Sequence, residues 1–92
     1  MIDIDTIALL AASTKLDLHG LTCAEAEFEL IRTLNLVDTN VRAVEVVHGY
    51  HNGRALKTLV RQQFAHPLIA KKIPLDASRT LLALDFSKIN QK

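Results

Sequence analysis

Apolar and polar residues alternate from Lys15 to His19, with Leu16 and Leu18 on one side and Lys15, Asp17 and His19 on the other. A period of two is that of a strand with one buried face. The next stretch, LTCAEAEFELIRTLNL, moves to helical spacing. Ala24, Phe28 and Ile31, with Leu30 and Leu34 beside them, form its apolar stripe, while Glu25, Glu29 and Arg32 face water. Thr22 stands as N-cap with Glu25 three residues on, the pairing of a capping box. A turn at DTN leads to a second, valine-rich strand over Ala43 to Val47. Gly49 and Gly53 bracket a tight loop, after which NGRALKTLVRQQFAHP resumes helical spacing with Leu56, Leu59, Val60 and Phe64 as its core face. Arg54, Lys57 and Arg61 line another face as a basic stripe, and Pro67 ends the helix. KKIPL and TLLALDF, joined by DASR, read as a hairpin, and Pro74 directs its first strand to a sheet edge. Ile2–Ala12 carries the pattern of a further short helix.

This order predicts an α/β fold, a two-layer sandwich in which a β-α-β-α-β-β chain builds a mixed four-stranded sheet beneath two main helices. Right-handed crossovers make the first two strands parallel. With 92 residues there is room for one core, so residues 1–14 are assigned as an N-terminal extension and 15–92 as a single domain.

Composition narrows the class. A chain that is 49% hydrophobic and 23% charged is globular and not disordered. The single cysteine, Cys23, excludes an internal disulfide and the common cysteine-based zinc sites. No apolar run approaches the roughly 18–20 residues of a membrane span. The start MIDIDTIALLAAS holds acids where a secretory signal carries basic residues, so a cytoplasmic protein without membrane association is expected. The net charge of +1 is too small to draw nucleic acid to the molecule as a whole. Its distribution is uneven: residues 41–92 hold nine basic residues and three acids, which leaves room for a local basic surface.

Candidate chemistry sits in two loops, LHGLT and VVHGYHNG, which leave the C-terminal ends of the first two strands. Ligands of open α/β sheets gather outside such ends. Each loop begins His-Gly and leads toward a helix N-terminus, where free N–H groups favour an anion. Gly49 and Gly53 would let the backbone approach a phosphate. One by one, these residues also have ordinary structural readings. His19 can donate to a carbonyl and Asp17 can accept from a neighbouring amide, Gly20, Gly49 and Gly53 suit turns, and Asn52 or Gly53 can cap the second helix. Arg54, Lys57 and Arg61 can form a solvated face, while His51 and His66 default to the surface. Tyr50 can stack on a base or cover the helix start, and Cys23 can be a small helical residue.

Together, LDLHGLT…AE and VEVVHGYHNGRALKTLVR resemble the Smr (small MutS-related) domain family over about Lys15 to Phe86. The resemblance implies a fold like the C-terminal domain of a bacterial translation initiation factor. It also implies nucleic acid, DNA or RNA, as partner, with the ribosome a candidate, and often endonuclease activity. Asp17 and His19 fall on the family's Asp-x-His pair and Gly20 on the glycine after it, while His48, Gly49 and Gly53 fall on its second motif. The chain departs from the family pattern at His51, which stands where His-Gly-x-Gly-x-Gly has its middle glycine. The leucine of the second helix also comes one place later, at Leu56.

The expected function is therefore Smr-type endonucleolytic cleavage of a phosphodiester. Asp17, His19 and His48 are the candidate catalytic residues, and Gly20, Gly49, Tyr50, His51, Asn52, Gly53, Arg54, Lys57 and Arg61 the candidate phosphate and nucleic-acid contacts. Histidine is the side chain that exchanges protons near neutrality, so His19 is the natural acid or base, and His48 a second one or a phosphate donor. Asp17 would orient His19 or hold a divalent cation such as Mg2+. A two-metal site is disfavoured because no second carboxylate is clustered with Asp17, and the 2′-hydroxyl of RNA would serve as nucleophile without any metal. The alternative is a non-catalytic module that binds nucleic acid or the ribosome through the same loops. A third reading is a small-phosphoester hydrolase.

Overall fold

The computed structural model describes residues 3–49 and 54–88. Helix α1 (Ile4–Ala11) starts where Asp3 accepts the Thr6 N–H at 2.8 Å, a bond that holds the Asp3 carboxyl below its ordinary pKa. Strand β1 (Ser13–Asp17) begins earlier than the alternation alone indicated. Helix α2 (Cys23–Leu36) opens with the expected capping box: Thr22 Oγ1 accepts the Glu25 N–H at 3.1 Å, and the Thr22 N–H donates to the Glu25 carboxylate at 2.9 Å. Such a cap is worth about 1 kcal/mol. Strand β2 (Ala43–Val47) is followed by helix α3 (Arg54–Thr58), which continues as a π-helical turn over Leu59–Gln63. The Phe64 N–H closes that wide turn on the Leu59 carbonyl at 2.7 Å, and the Lys72 ammonium donates to the Phe64 carbonyl at its end. Strands β3 (Ile69–Asp76) and β4 (Arg79–Leu84) form the hairpin, and a 3-10 turn covers Phe86–Lys88.

The sheet order is β1-β2-β4-β3. β1 and β2 are parallel in register from Ser13↔Ala43 to Asp17↔Val47, while β4 runs antiparallel to both neighbours. Pro74 lies in β3, the edge strand, where a missing N–H breaks no inner ladder. The hairpin is tied at its turn. Asp76 accepts from the Ser78 N–H at 3.0 Å and pairs with Arg79 at 2.8 Å, so its carboxyl is held down to about pKa 2. Arg79 also reaches Glu45 of β2 at 2.8 Å.

One sheet face carries Leu16, Leu18, Val44, Val46 and Leu82, and α2, α3 and the π-helical turn cover it with Ala26, Leu30, Leu34, Leu56, Leu59, Val60 and Phe64. By strand alternation Ala43, Leu81 and Ala83 point to the opposite face, and they too are buried. Helix α1 packs on β2 but contributes nothing to the first cluster, so it covers part of that second face. The expected two layers thus become a sheet with helices on both sides. None of the described helices is long and apolar enough to cross a membrane.

Helix α2 corrects the sequence reading most sharply. Its buried residues are Ala26, Leu30 and Leu34, whereas Ala24, Phe28 and Ile31 face solvent, with Phe28 63% exposed. The helix has two apolar stripes on opposite sides, and spacing alone had merged them. Leu30→Ala should therefore cost about 2–5 kcal/mol in urea denaturation, while Phe28→Ser should stay within about 0.5 kcal/mol of wild type. Comparable losses from both would contradict this placement.

Candidate active site at the rim of the parallel strands

Because β1 and β2 are parallel and level, their C-terminal ends open at one rim. The Leu18 N–H donates to the Val47 carbonyl at 2.7 Å, so pairing continues one residue past β1. Leu18 is fully buried and anchors the corner that follows. The Leu21 N–H returns to the Leu18 carbonyl at 3.1 Å, and Gly20 takes φ +86°, the left-handed conformation glycine adopts without strain.

This turn sets Asp17 and His19 side by side. Asp17 Oδ1 accepts the His19 backbone N–H at 3.0 Å and meets His19 Nδ1 at 2.7 Å. Those two bonds, the imidazole's first, hold the Asp17 carboxyl below its usual pKa. A carboxylate only accepts, so Nδ1 carries the proton, and Nε2 has no partner among the described residues. Both side chains are open to solvent, His19 at 70% and Asp17 at 51% exposure. The pair is a held imidazole in a solvent-open side chain.

The second corner packs directly on the first. Gly49 has φ +87°, and a Cβ built on it would lie 3.1 Å from the Cβ of His19. Glycine is required at 49 for its conformation and for the closeness of the two corners. The neighbouring His48, expected as a second acid or base, is fully buried. Its Nε2 lies 3.0 Å from Thr80 Oγ1 and its Nδ1 3.3 Å from the Gly49 carbonyl. The carbonyl accepts only, so Nδ1 bears the proton. Nε2 then accepts from the Thr80 hydroxyl, whose oxygen accepts Arg61 Nε–H at 2.6 Å. Burial, with Arg61 and Lys57 nearby, lowers the His48 pKa and keeps the ring neutral.

Two further expectations change. The Gly49 N–H, proposed for phosphate, donates to the Ser78 carbonyl at 3.2 Å beside the His48 N–H at 2.9 Å. Arg61 is not part of a free basic stripe, because its guanidinium also donates to the Asp76 carbonyl and, at 2.9 Å, to the Arg79 carbonyl, clamping the hairpin turn. Arg54 is exposed and Lys57 half-buried, and both remain available to an anion. The Gly20 N–H has no partner among the described residues. Tyr50, His51, Asn52 and Gly53 lie outside the described residues. No group of three His, Cys, Asp or Glu able to hold a metal occurs among the described residues.

Sequence reasoning missed Thr80 and Ser78. The one available hint was a threonine opening an otherwise apolar strand, TLLAL; its partner, 32 positions away, is supplied only by the β2–β4 register. His66, read as a surface residue, instead ties two segments together. It accepts the Leu68 N–H at Nδ1 and donates from Nε2 to Asn35 Oδ1 at 3.0 Å.

The neutral His48 gives a pH signature. Its folded pKa lies below the unfolded value of about 6.5, so the unfolded chain binds more protons as pH falls, and the stability it contributes is complete above that value and lost below it. His48→Asn should lower the urea midpoint at pH 7.5 and show a smaller deficit at pH 5.5. An equal deficit at both would rule out a neutral buried ring.

A family model for the Smr domain matches residues 16–73, a span that takes in both His-Gly corners. No curated protein and no solved structure matches significantly. The family match covers well over half of the 92 residues, and the chain belongs to the Smr domain family.

Proposed function

We propose that this Smr domain cleaves phosphodiester bonds in nucleic acid, with His19 as its acid–base group and Asp17 as the residue that holds it. The observation that carries the reading is the 2.7 Å Asp17–His19 contact, solvent-open at a rim where the second corner lies against the Cβ of the same histidine. Smr domains generally cleave or bind nucleic acid, which supplies the substrate class.

The chemistry follows from the tautomer. His19 Nε2 takes the proton of the attacking hydroxyl as its oxygen bonds to phosphorus, and the bond to the leaving oxygen breaks, water supplying that oxygen's proton. The resulting imidazolium keeps its Nδ1–H on the Asp17 carboxylate, which offsets the new charge. Arg54, Lys57 and the Gly20 N–H supply positive potential for the phosphoryl oxygens. His48 positions the second corner and exchanges no proton with substrate. With a single open imidazole among the described residues of the rim, the substrate best suited is RNA, whose 2′-hydroxyl is already placed beside the phosphorus. The described residues fit a protein-held divalent cation poorly, since Asp17 commits Oδ1 to His19 and no group of three His, Cys, Asp or Glu stands among them to hold one.

His19→Ala should reduce cleavage of a structured RNA by about 10²-fold or more, with Asp17→Asn falling short of wild type in kcat and not in KM. Chelator should leave wild-type cleavage intact. Undiminished cutting by both variants would discard the assignment.

The second reading, binding without cleavage, is favoured by the modest net charge and by His51 in place of a loop glycine. It predicts salt-dependent RNA binding with no products. On either reading Lys57→Ala should reduce the salt slope of binding by about 1, whereas Arg61→Ala should cost about 1–3 kcal/mol of stability because it strips Thr80 and the hairpin carbonyls of their donor. An unchanged slope for Lys57→Ala would remove α3 from the docking surface.

A further inference from the structure

We infer that Lys15 holds the phosphate next to the one cleaved, on the opposite side of the rim from the α3 cations, so that the substrate strand crosses the rim instead of running along it. This assignment rests on the proposed cleavage at His19. Strand alternation puts Leu16 and Leu18 on the sheet face that α2 and α3 cover, and Lys15 and Asp17 on the other. His19 joins Asp17 there through the 2.7 Å contact. Lys15 precedes Asp17 by two residues, about 6.6 Å along the strand, a spacing close to that of successive phosphates in one nucleic-acid strand. Behind the bonds from His19, the Lys15 charge also helps to hold the Asp17 carboxyl below its ordinary pKa, which puts the ammonium within electrostatic reach of the site.

The other basic residues of this face are spent or distant. Alternation and register turn Lys71 and Arg79 to the same side as Ala83 and Leu81. Arg79 is shared between Glu45 and Asp76, at 2.8 Å from each. Lys71 stands at the far end, since its row runs through Ala83 and Ala43 to Ser13. Lys15 lies exposed on the edge strand β1, and its side chain has no hydrogen bond or ion pair among the described residues. A polyanion leaving His19 across the sheet meets Glu45 and Asp76, two acids against the single Arg79, whereas along β1 it meets Lys15. Arg54 and Lys57 belong to α3, in the layer on the other side of the sheet. Cations thus flank the rim from both faces with the two His-Gly corners between them. A strand held by both sets passes the Gly49 corner and His19 on its way.

Cleavage of a short 2′-deoxy oligonucleotide holding one ribonucleotide tests this, because the lone 2′-hydroxyl fixes which linkage is cut. Lys15→Ala should lower kcat/KM about tenfold, through KM and with kcat at the wild-type value. Lys71→Ala, which removes the same charge from the same face, should leave kcat/KM unchanged. An uncharged methylphosphonate placed one linkage to one side of the cut should cost wild type the same factor and Lys15→Ala nothing further. On the other side of the cut the two losses should multiply. No loss in Lys15→Ala, an equal loss in Lys71→Ala, a loss in kcat in place of KM, or a Lys15→Ala effect that survives neutral linkages on both sides would each overturn the proposal. Affinity for the all-deoxy oligonucleotide separates this from failure of the cleavage reading. If no product forms, a Kd raised about tenfold by Lys15→Ala and unchanged in Lys71→Ala still supports the phosphate contact, and equal Kd values overturn it.

Discussion

Parallel pairing of β1 with β2 is the constraint on which the candidate site depends. An antiparallel pair would send the two His-Gly corners to opposite ends of the sheet. In parallel register, Asp17 stands beside Val47, and each strand leaves the sheet at the same level. The corners then compete for the same space. Glycine at 49 resolves that competition, since a side chain there would push on the Cβ of His19. What reads in the sequence as a flexible, phosphate-approaching glycine is, in the fold, a packing requirement set by the Cβ of His19.

The second corner is held by polar contacts that would be costly if any partner were missing. His48 and Thr80 are both fully buried, and a buried polar group left without a partner destabilises by about 1–3 kcal/mol. Here the chain Arg61–Thr80–His48–Gly49 uses both ring nitrogens of His48 and the Thr80 hydroxyl, and among the described residues no buried side-chain polar atom is left without a partner. The same guanidinium grips the hairpin turn through two carbonyls. Helix α3 with its π-helical turn, the hairpin and the site rim therefore share one clamp. A change at Arg61 would reach the site through the hairpin and not through lost charge at a ligand.

The elements themselves could be read from the chain because each carried a local signal: alternation at β1, the Thr22–Glu25 box at α2, valines at β2, Pro74 on the edge strand. The Asp17–His19 pair was equally readable, since both partners lie in one five-residue stretch and their geometry is set by a local turn. Roles that depend on long-range pairing were not. Nothing near His48 says that Thr80 will face it, and nothing near Arg61 says that its stripe will bend toward a hairpin turn. On α2 the difficulty was different. Apolar residues occur on two opposite sides, and helical spacing gives no sign of which side the sheet will choose. The choice falls to Ala26, Leu30 and Leu34, whose small and aliphatic side chains share one buried cluster with Leu18 and Val46, leaving the bulkier Phe28 outside.

The uneven charge of the sequence takes on meaning once it is placed on surfaces. Glu25 and Glu27 are exposed on α2 and Glu29 is half-buried there, whereas Arg54 and Lys57 lie on α3, with Lys57 near His48 of the second corner. A polyanion approaching the rim is drawn to α3 and repelled along the outward side of α2. The net charge of +1 thus sums two unlike faces and describes neither. The acidic, apolar side of α2 is poorly suited to nucleic acid, and its exposed Phe28 gains nothing by facing water. The phosphate contact proposed at the rim is therefore set apart from the rest of the surface by the sign of the charge on α2.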